Sequence, residues 1–228
     1  MIQSINPATG HVIEGFEPHG PDELDTMLNA ALRAGREWRQ TTFADRAATL
    51  RRLAILLRSE KASLARVATL EMGKPIGEAE AEVEKCAWGC EFYADHGEAF
   101  LSAEMTDSTA TESYVAYRPL GTILLVMPWN FPYWQVIRCL APILMAGNVA
   151  ILKHSSQVSR CALEVERLAR EAGLPEGVFR TVLISGAEAE RLVSDDRIAG
   201  VSLTGSEGAG TAVAAAAGRS LKPTVLEL

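Results

Sequence analysis

An asparagine and an arginine interrupt the strongly apolar run VMPWNFPYWQVIR, residues 126–138. Asn130 follows a predicted buried strand, and its amide is the neutral donor that a developing oxyanion requires and that an ordinary loop asparagine also offers. Arg138 lies eight residues further on, about two helical turns away, in a helix predicted to begin near Pro132, so both side chains can approach one tunnel. Taken alone, Asn130 is interpreted as a turn residue.

The stretch LTGSEGAG is a candidate phosphate site. Thr204, Gly205 and Ser206 end a predicted strand and open a helix, so free backbone N–H groups and the positive helix end would face a phosphate placed there. Ser206 is equally well suited to be an N-cap. Because the glycines fall at 205, 208 and 210 and not in the GxGxxG spacing, a phosphate site and a plain helix cap both remain open.

The stretch ILKHSS places a lysine directly after a predicted buried strand. The Lys153 ammonium could reach a ribose hydroxyl or a phosphate there, although a lysine that extends its amine into solvent is the simpler alternative. Ser156 is small and uncharged. A carboxylate at that point would bind a ribose 2′-hydroxyl and repel a 2′-phosphate, so a serine leaves NADP possible as well as NAD.

The elements that hold these candidate residues follow from two patterns of apolar residues along the chain. The first pattern, in the N-terminal part, predicts helices. Pro7 and Gly10 indicate a turn between two short extended segments. Apolar residues then recur at helical spacing, with Gly73 and Pro75 as a stop signal. The pattern predicts helices over 21–38, 47–57, 64–71 and 76–100.

Near residue 110 the pattern changes to strands that alternate with helices. YVAYRPLG indicates an edge strand and a turn, and the apolar strands that follow are TILLVM, NVAILK, FRTVLI, IAGVSLTG and PTVLEL. This alternation is typical of parallel strands covered on both faces, so we predict an α/β fold with a doubly wound parallel sheet preceded by N-terminal helices. Ligands of such sheets bind at the carboxyl ends of the strands, which makes PWNF, KHSS, SGAEAE and TGSEGAG neighbours.

Composition narrows the class of protein. Of the 228 residues, 48% are hydrophobic, which is enough for a sizeable core. A net charge of −7 without clustered Lys and Arg argues against a nucleic-acid partner. We find no basic-then-apolar leader and no apolar run of the roughly 20 residues that span a bilayer, so we expect a cytoplasmic protein with free thiols and no membrane contact. The cysteine pair in CAWGC suits one helix face better than a metal site.

The ordered set of short motifs resembles the aldehyde dehydrogenase superfamily over all 228 residues. The set is PWNFP before a helix, a Gly-Asn turn, ILK before a helix, TGS before a helix, and a terminal LEL. The resemblance implies a Rossmann-like cofactor domain and the oxidation of a small-molecule aldehyde to an acid. In that chemistry a cysteine thiolate attacks the carbonyl, hydride passes to NAD or NADP, and water hydrolyses the thioester.

The matching motifs also imply roles for particular residues. Asn130 resembles the side-chain donor of the oxyanion hole, and Glu227 resembles the general base. Gly186 would lie beside the adenine and Leu228 beside the nicotinamide. The full set implied to contact the cofactor is Met127, Pro128, Trp129, Lys153, Ser156, Gly186, Thr204, Gly205, Ser206 and Leu228.

Arg138 suggests a branch of the superfamily. In succinate-semialdehyde dehydrogenases an arginine at this position is similar in role to a clamp that holds the carboxylate of an acidic substrate. The alternative is an arginine that pairs with a nearby acid of its own chain. Tyr133 and Trp134 would form the wall of the substrate tunnel or pack in the core.

The sequence departs from the family pattern at the nucleophile. In the family this cysteine lies beyond the residue matched by Leu228, and none of Cys86, Cys90, Cys139 and Cys161 lies in a matching motif. Cys139 points about 100° away from Arg138 around the predicted helix. We therefore expect the cofactor-binding half of a longer enzyme, inactive alone.

Three parts are expected within residues 1–228: a helical part over 1–108, an edge strand or oligomerisation segment over 109–120, and a Rossmann-like part over 121–228. The full-length protein is expected to be a homo-oligomer, a dimer or tetramer. The alternative function is a non-catalytic nucleotide-binding or assembly module that another chain completes.

Overall fold

The computed structural model describes residues 1–228 in full. The chain begins with an antiparallel hairpin of β1 (Ile2–Ile5) and β2 (Val12–Phe16). Gly10 has a φ of +73° in the connecting turn, a conformation that favours glycine. The predicted turn between two short extended segments is confirmed.

Four helices follow the hairpin, and all four are confirmed: α1 (Pro21–Trp38), α2 (Phe43–Ser59), α3 (Lys61–Met72) and α4 (Ile76–Phe100). Thr42 starts α2 with a capping box, since its Oγ1 accepts a hydrogen bond from Asp45 N at 3.1 Å. Gly73 ends α3 in the left-handed conformation with a φ of +77°. The predicted stop signal therefore acts through backbone geometry.

The edge strand predicted within residues 109–120 belongs to a separate ribbon and not to the main sheet. β4 (Tyr114–Val115) pairs only with β3 (Glu104–Met105), in a separate two-stranded ribbon. Both strands of the ribbon are exposed. The main sheet thus begins at the buried strand β5.

Five parallel strands form the main sheet in the order β7-β6-β5-β8-β9. This order reverses direction between β5 and β8, which confirms the predicted doubly wound α/β fold. Lys153 is the fifth residue of β6 and not the residue after it, because the strand continues to His154. The elements are β5 (Thr122–Met127), α5 (Trp134–Met145), β6 (Val149–His154), the short 3-10 helix Ser156–Val158, α6 (Ser159–Glu171), β7 (Phe179–Thr181), α7 (Gly186–Val193), β8 (Ile198–Thr204), α8 (Glu207–Arg219) and β9 (Thr224–Glu227).

Helices cover both faces of this sheet. Right-handed crossovers place α5 and α6 on one face and α7 and α8 on the other. α2, α3 and α4 pack behind α5 and α6, whereas α1 packs on β5, β6 and β7. A single cluster of 54 buried residues runs from Met27 to Ala217, so the N-terminal helices and the sheet share one core.

Gly177 gives a test of how closely α1 approaches the sheet. Its φ is +87°, and a Cβ there would lie 2.8 Å from the carbonyl oxygen of Ala30 in α1. Gly10 has a similar φ but open space around it. We expect Gly10→Ala to lower the free energy of unfolding by about 1–2 kcal/mol, the cost of left-handed backbone, and Gly177→Ala by about 2–5 kcal/mol because α1 must also shift. Equal losses in urea denaturation would contradict this packing.

Candidate active site

The carboxyl ends of β5, β6 and β8 lie side by side. Val126 near the end of β5 pairs in register with Lys153 on one side and with Leu203 on the other. The segments that follow these strands are the loop Pro128–Tyr133, the 3-10 helix and the start of α8. The structure therefore confirms that the PWNF, KHSS and TGSEGAG stretches meet at one edge.

A buried carboxylate anchors the loop Pro128–Tyr133. The first turn of α5 has no side-chain cap of its own. Instead Glu82 of α4, which is 3% exposed, accepts hydrogen bonds at Oε1 from Tyr133 N at 2.8 Å and from Trp134 N at 2.9 Å. Lys74 forms a buried ion pair with Oε2 of the same carboxylate. The orphan N–H groups of α5 are thus satisfied by a helix distant in sequence.

Glu71 of α3 makes the corresponding contacts at α6. This carboxylate is 4% exposed and accepts hydrogen bonds from Arg160 N at 3.0 Å and from Cys161 N at 2.8 Å. Two neighbouring helices of the N-terminal layer therefore each cap one crossover helix of the sheet. Both caps lie at the edge where the candidate site residues meet.

His154 links the end of β6 to the same loop. Its Nδ1 accepts a hydrogen bond from Ser155 N at 2.8 Å, so the neutral ring donates from Nε2 to the carbonyl oxygen of Pro132 at 2.9 Å. Burial lowers the pKa of His154 from 6.5 to about 4. The ring therefore stays neutral at physiological pH, which this pair of hydrogen bonds requires.

The predicted residues of the loop have different exposures. Asn130 and Trp129 are exposed, Pro128 is half-buried, and the side chain of Met127 is buried in the core. α5 begins at Trp134, two residues after Pro132, so only residues 134–138 of the interval from Asn130 to Arg138 are helical. The interpretation of the spacing from 130 to 138 as two helical turns is therefore wrong.

Arg138 meets Glu227 and Thr204 directly. Its Nη2 donates to Thr204 Oγ1 at 2.9 Å and forms an ion pair with Oε2 of Glu227. The side chains of Arg138 and Glu227 are 31% and 51% exposed, so solvent screens this pair strongly. Nε of Arg138 is buried and has no hydrogen-bond partner. The structure thus brings three of the predicted site residues, Arg138, Thr204 and Glu227, into contact at the β8–β9 edge, and Arg138 makes the pairing with an acid of its own chain that was the alternative to a substrate clamp.

A largely apolar groove of about 310 Å³ adjoins this ion pair. Arg138, Cys139 and Pro142 of α5 line one side, and Ser202 and Val225 are among the residues opposite. Tyr133 and Trp134, which were predicted to form the wall of the substrate tunnel, do not line this groove. Tyr133 is fully buried and donates its hydroxyl to Leu64 O at 2.8 Å, which is the core-packing alternative, and Trp134 is half-buried with the Lys85 ammonium 4.2 Å from its ring centre.

The predicted cofactor residues on β6 and α7 face solvent to different extents. Lys153 is half-buried, and burial without a nearby carboxylate lowers its pKa. Ser156 is exposed in the 3-10 helix. Gly186 is the exposed first residue of α7, after the Ser185 capping box. An ammonium with no ion-pair partner thus lies near the end of β6, and a neutral serine lies just after the strand.

At α8 the predicted phosphate residues form a helix N-terminus. Ser206 is its N-cap and accepts a hydrogen bond from Ala209 N at 3.4 Å, so the plain helix cap exists whether or not a phosphate binds. Gly205 is tied to the end of β9 by its N–H, which donates to Glu227 O at 3.0 Å. Leu228 packs against Gly210, where a Cβ would lie 2.3 Å from its Cδ2.

All four cysteines are free, as predicted. Burial raises the pKa of Cys86 and Cys161, and that of Cys90 to about 12. The half-buried Cys139 also has a raised pKa because of burial, with Sγ 3.7 Å from Ser202 Oγ. Protonated thiols are poor nucleophiles, so none of the four is suited to attack a carbonyl.

The supporting roles of Glu71, Glu82, Lys74 and His154 were not predicted from the sequence. A signal existed for the glutamates: Glu71 extends the apolar helical spacing of 64, 67 and 68, and Glu82 shares a face of α4 with the buried Ala79. A carboxylate on an apolar face needs a partner in the core. No comparable signal marked His154.

The order of the strands and the position of the candidate site identify the fold class of this protein. It is a doubly wound α/β protein whose candidate ligand groups lie at the switch point between β5 and β8, the usual ligand position in such sheets. The chain belongs to the aldehyde dehydrogenase family, because the model of the "Aldehyde dehydrogenase family" matches residues 1–228.

Named relatives agree with this membership. The chain is 49% identical over 227 residues to a Synechocystis protein named "Probable succinate-semialdehyde dehydrogenase", with NADP(+) in the name, and 47% identical over 230 residues to a Mycobacterium bovis "Succinate-semialdehyde dehydrogenase" with the same cofactor in its name. Each match covers 100% of this chain and 50% of the relative, so the chain spans about half the length of these curated relatives. The crystal structure of succinic semialdehyde dehydrogenase from Streptococcus pyogenes with NADP+ matches at a TM-score of 0.97 and 36% identity, over 100% of this chain and 50% of that one.

None of the helices combines the length and the apolar character needed to cross a membrane.

His154 generates a prediction about pH. An unfolded imidazole binds a proton near pH 6.5, whereas the folded one resists protonation to about pH 4, so unfolding takes up a proton and is favoured as the pH falls through this window. The loss of stability reaches about 3 kcal/mol at pH 4. We expect His154→Gln, which keeps a donor for Pro132 O, to remove this part of the pH dependence in urea denaturation. His11→Gln at an exposed imidazole is the control, and parallel pH profiles for the two variants would contradict the assignment.

Proposed function

We propose that this chain supplies the nucleotide site, the oxyanion donor and the general base of an NAD(P)-dependent aldehyde dehydrogenase that oxidises succinate semialdehyde or a similar acidic aldehyde. The observation that carries the proposal is the meeting of Arg138, Thr204 and Glu227 at the carboxyl edge of a chain that matches the family throughout. The names of its relatives support both the substrate class and NADP.

The residues at this edge fit a dinucleotide. Lys153 offers an ammonium without a protein partner, and the exposed first turn of α8 after Ser206 offers N–H groups that have no intrahelical acceptor. Ser156 adds no negative charge that would repel a 2′-phosphate. Gly186 at the start of α7 and the loop residues Pro128 and Trp129 would contact the rest of the cofactor. When bound, the nicotinamide would accept the hydride.

The remaining roles belong to three side chains. The exposed amide of Asn130 would donate to the oxyanion that forms when the aldehyde carbonyl is attacked. Glu227 would take a proton from the water that hydrolyses the thioester. Arg138 would bind the distant carboxylate of the substrate, with Nη1 as a donor beyond those already used by Nη2. Because none of the four cysteines is suited to the attack, the thiolate is proposed to come from outside these 228 residues.

We also propose the division into a helical part over 1–108, a segment over 109–120 and a Rossmann-like part over 121–228, together with a homo-oligomeric assembly of the full-length protein. We propose that residues 109–120 with the exposed β3–β4 ribbon form part of a contact between copies of the full-length protein. Met105, Tyr114 and Val115 support this, because they are 69%, 52% and 50% exposed and lie on a ribbon with unpaired edges.

Arg138→Met in the full-length enzyme tests the substrate class. We expect kcat/KM for succinate semialdehyde to fall by roughly 10- to 100-fold more than kcat/KM for butanal, since a charge-assisted hydrogen bond contributes about 1.5–3 kcal/mol. Butanal has the same number of carbons and no carboxylate, so it reports any general effect of losing the contact with Glu227. An equal loss for both aldehydes would remove the carboxylate-binding role.

Ser156→Glu tests the cofactor site. A carboxylate close to a 2′-phosphate is repelled by about 1–4 kcal/mol, so we expect the Kd of NADP to rise roughly 5- to 900-fold while that of NAD changes little. Ser156→Gln is the matched control, because it adds the same bulk without the charge. Titration of both cofactors against both variants measures the effect. If Gln and Glu weaken NADP equally, position 156 does not face the 2′-phosphate.

A further inference from the structure

We propose that Glu82 and Lys74 are positioning residues for Asn130, acting through the loop Pro128–Tyr133. The inference rests on the proposed function, since it takes the Asn130 amide as the oxyanion donor. Both residues are buried, at 3% and 8% exposure, and belong to the N-terminal helical layer rather than to the sheet that carries the site.

The contacts fix the loop on both sides of Asn130. At one end, Met127 O accepts a hydrogen bond from Ser155 N at 2.9 Å. At the other end, Oε1 of Glu82 holds the N–H groups of Tyr133 and Trp134. Only the five residues 128–132 separate these fixed points, with Asn130 in the middle.

Lys74 holds the middle of the same loop. Its ammonium pairs with Oε2 of Glu82 and lies 3.7 Å from the ring centre of Phe131, the residue next to Asn130. A cation this close to an aromatic face is attracted by the ring, and the attraction grows when water is excluded. One buried ion pair therefore contacts the backbone that ends the loop and the side chain adjacent to the catalytic amide.

Removing the charge of Glu82 leaves no arrangement that satisfies every partner. In Glu82→Gln the amide has one oxygen, so either the two N–H groups or the Lys74 ammonium must face the NH₂ group. A buried cation without its carboxylate is costly, and the loop has no other acceptor at this end. The loop is therefore expected to shift. A displacement of about 1 Å at a reacting group can lower the rate by roughly 100-fold.

Glu71 provides a matched control. Like Glu82 it is a buried carboxylate of the helical layer that accepts hydrogen bonds from two backbone N–H groups of a crossover helix, but it has no lysine partner and its loop is the one that carries Ser156. Glu71→Gln therefore reports the general cost of weakening a buried cap. Only Glu82 is expected to act through Asn130.

The test is a double-mutant cycle on kcat in the full-length enzyme, with succinate semialdehyde and saturating NADP. Asn130→Ala is expected to lower kcat roughly 100- to 1,000-fold. Glu82→Gln alone is expected to lower kcat about 10- to 100-fold, yet to change it less than about twofold in the Asn130→Ala background. Glu71→Gln is expected to lower kcat by the same factor in both backgrounds. The neutral pair Lys74→Met with Glu82→Gln serves if the single variant does not fold, and the same loss of effect is expected in the Asn130→Ala background.

Two outcomes overturn different statements. If Glu82→Gln and Asn130→Ala multiply as independent factors, the positioning role is wrong while the proposed chemistry stands. If Asn130→Ala leaves kcat unchanged, the oxyanion role fails first and the positioning role fails with it.

Discussion

The carboxyl edge of this sheet depends on a carboxylate placed where no solvent reaches it. The first N–H groups of α5 have no acceptor within their own helix and no capping side chain before it, because Tyr133 occupies the N-cap position. Glu82 supplies the acceptor from another helix, and its negative charge also suits the positive end of α5. An isolated buried carboxylate would be strongly destabilising, but two backbone donors and Lys74 satisfy this one.

Through the same kind of contact, the N-terminal helices position a site to which they contribute none of the predicted site residues. Glu71 and Glu82 lie on neighbouring helices and cap the two crossover helices that follow β5 and β6. Each cap also fixes the loop in front of its helix. The helical layer and the sheet share one buried cluster, so a change in packing between them alters the positions of both loops. The N-terminal layer thus sets the geometry at the carboxyl edge of the sheet.

Sequence periodicity predicted the elements well and the site less well, for a physical reason. Helical spacing and apolar strands are local patterns, and the four helices and the parallel sheet followed from them. The start of α5 was misplaced by two residues because Pro132 is a common first helical residue, whereas here the Glu82 contacts set the boundary at Trp134. The partners of Glu82 are backbone N–H groups about fifty positions away. Nearly every residue carries the same backbone N–H group, so residue types do not show which of these groups bind Glu82.

Two lysines at this edge differ in whether other residues of the protein compensate their positive charge. Lys74 is buried and compensated by Glu82 and by the ring of Phe131, so its charge is satisfied inside the protein. Lys153 is half-buried on β6, its pKa is lowered by burial, and no carboxylate pairs with it. An unpaired, partly desolvated ammonium costs stability, and a folded protein retains that cost mainly where an anionic ligand removes it. Lys153 thus lies unpaired near the carboxyl end of β6, whereas Lys74 lies compensated under the loop that carries Asn130.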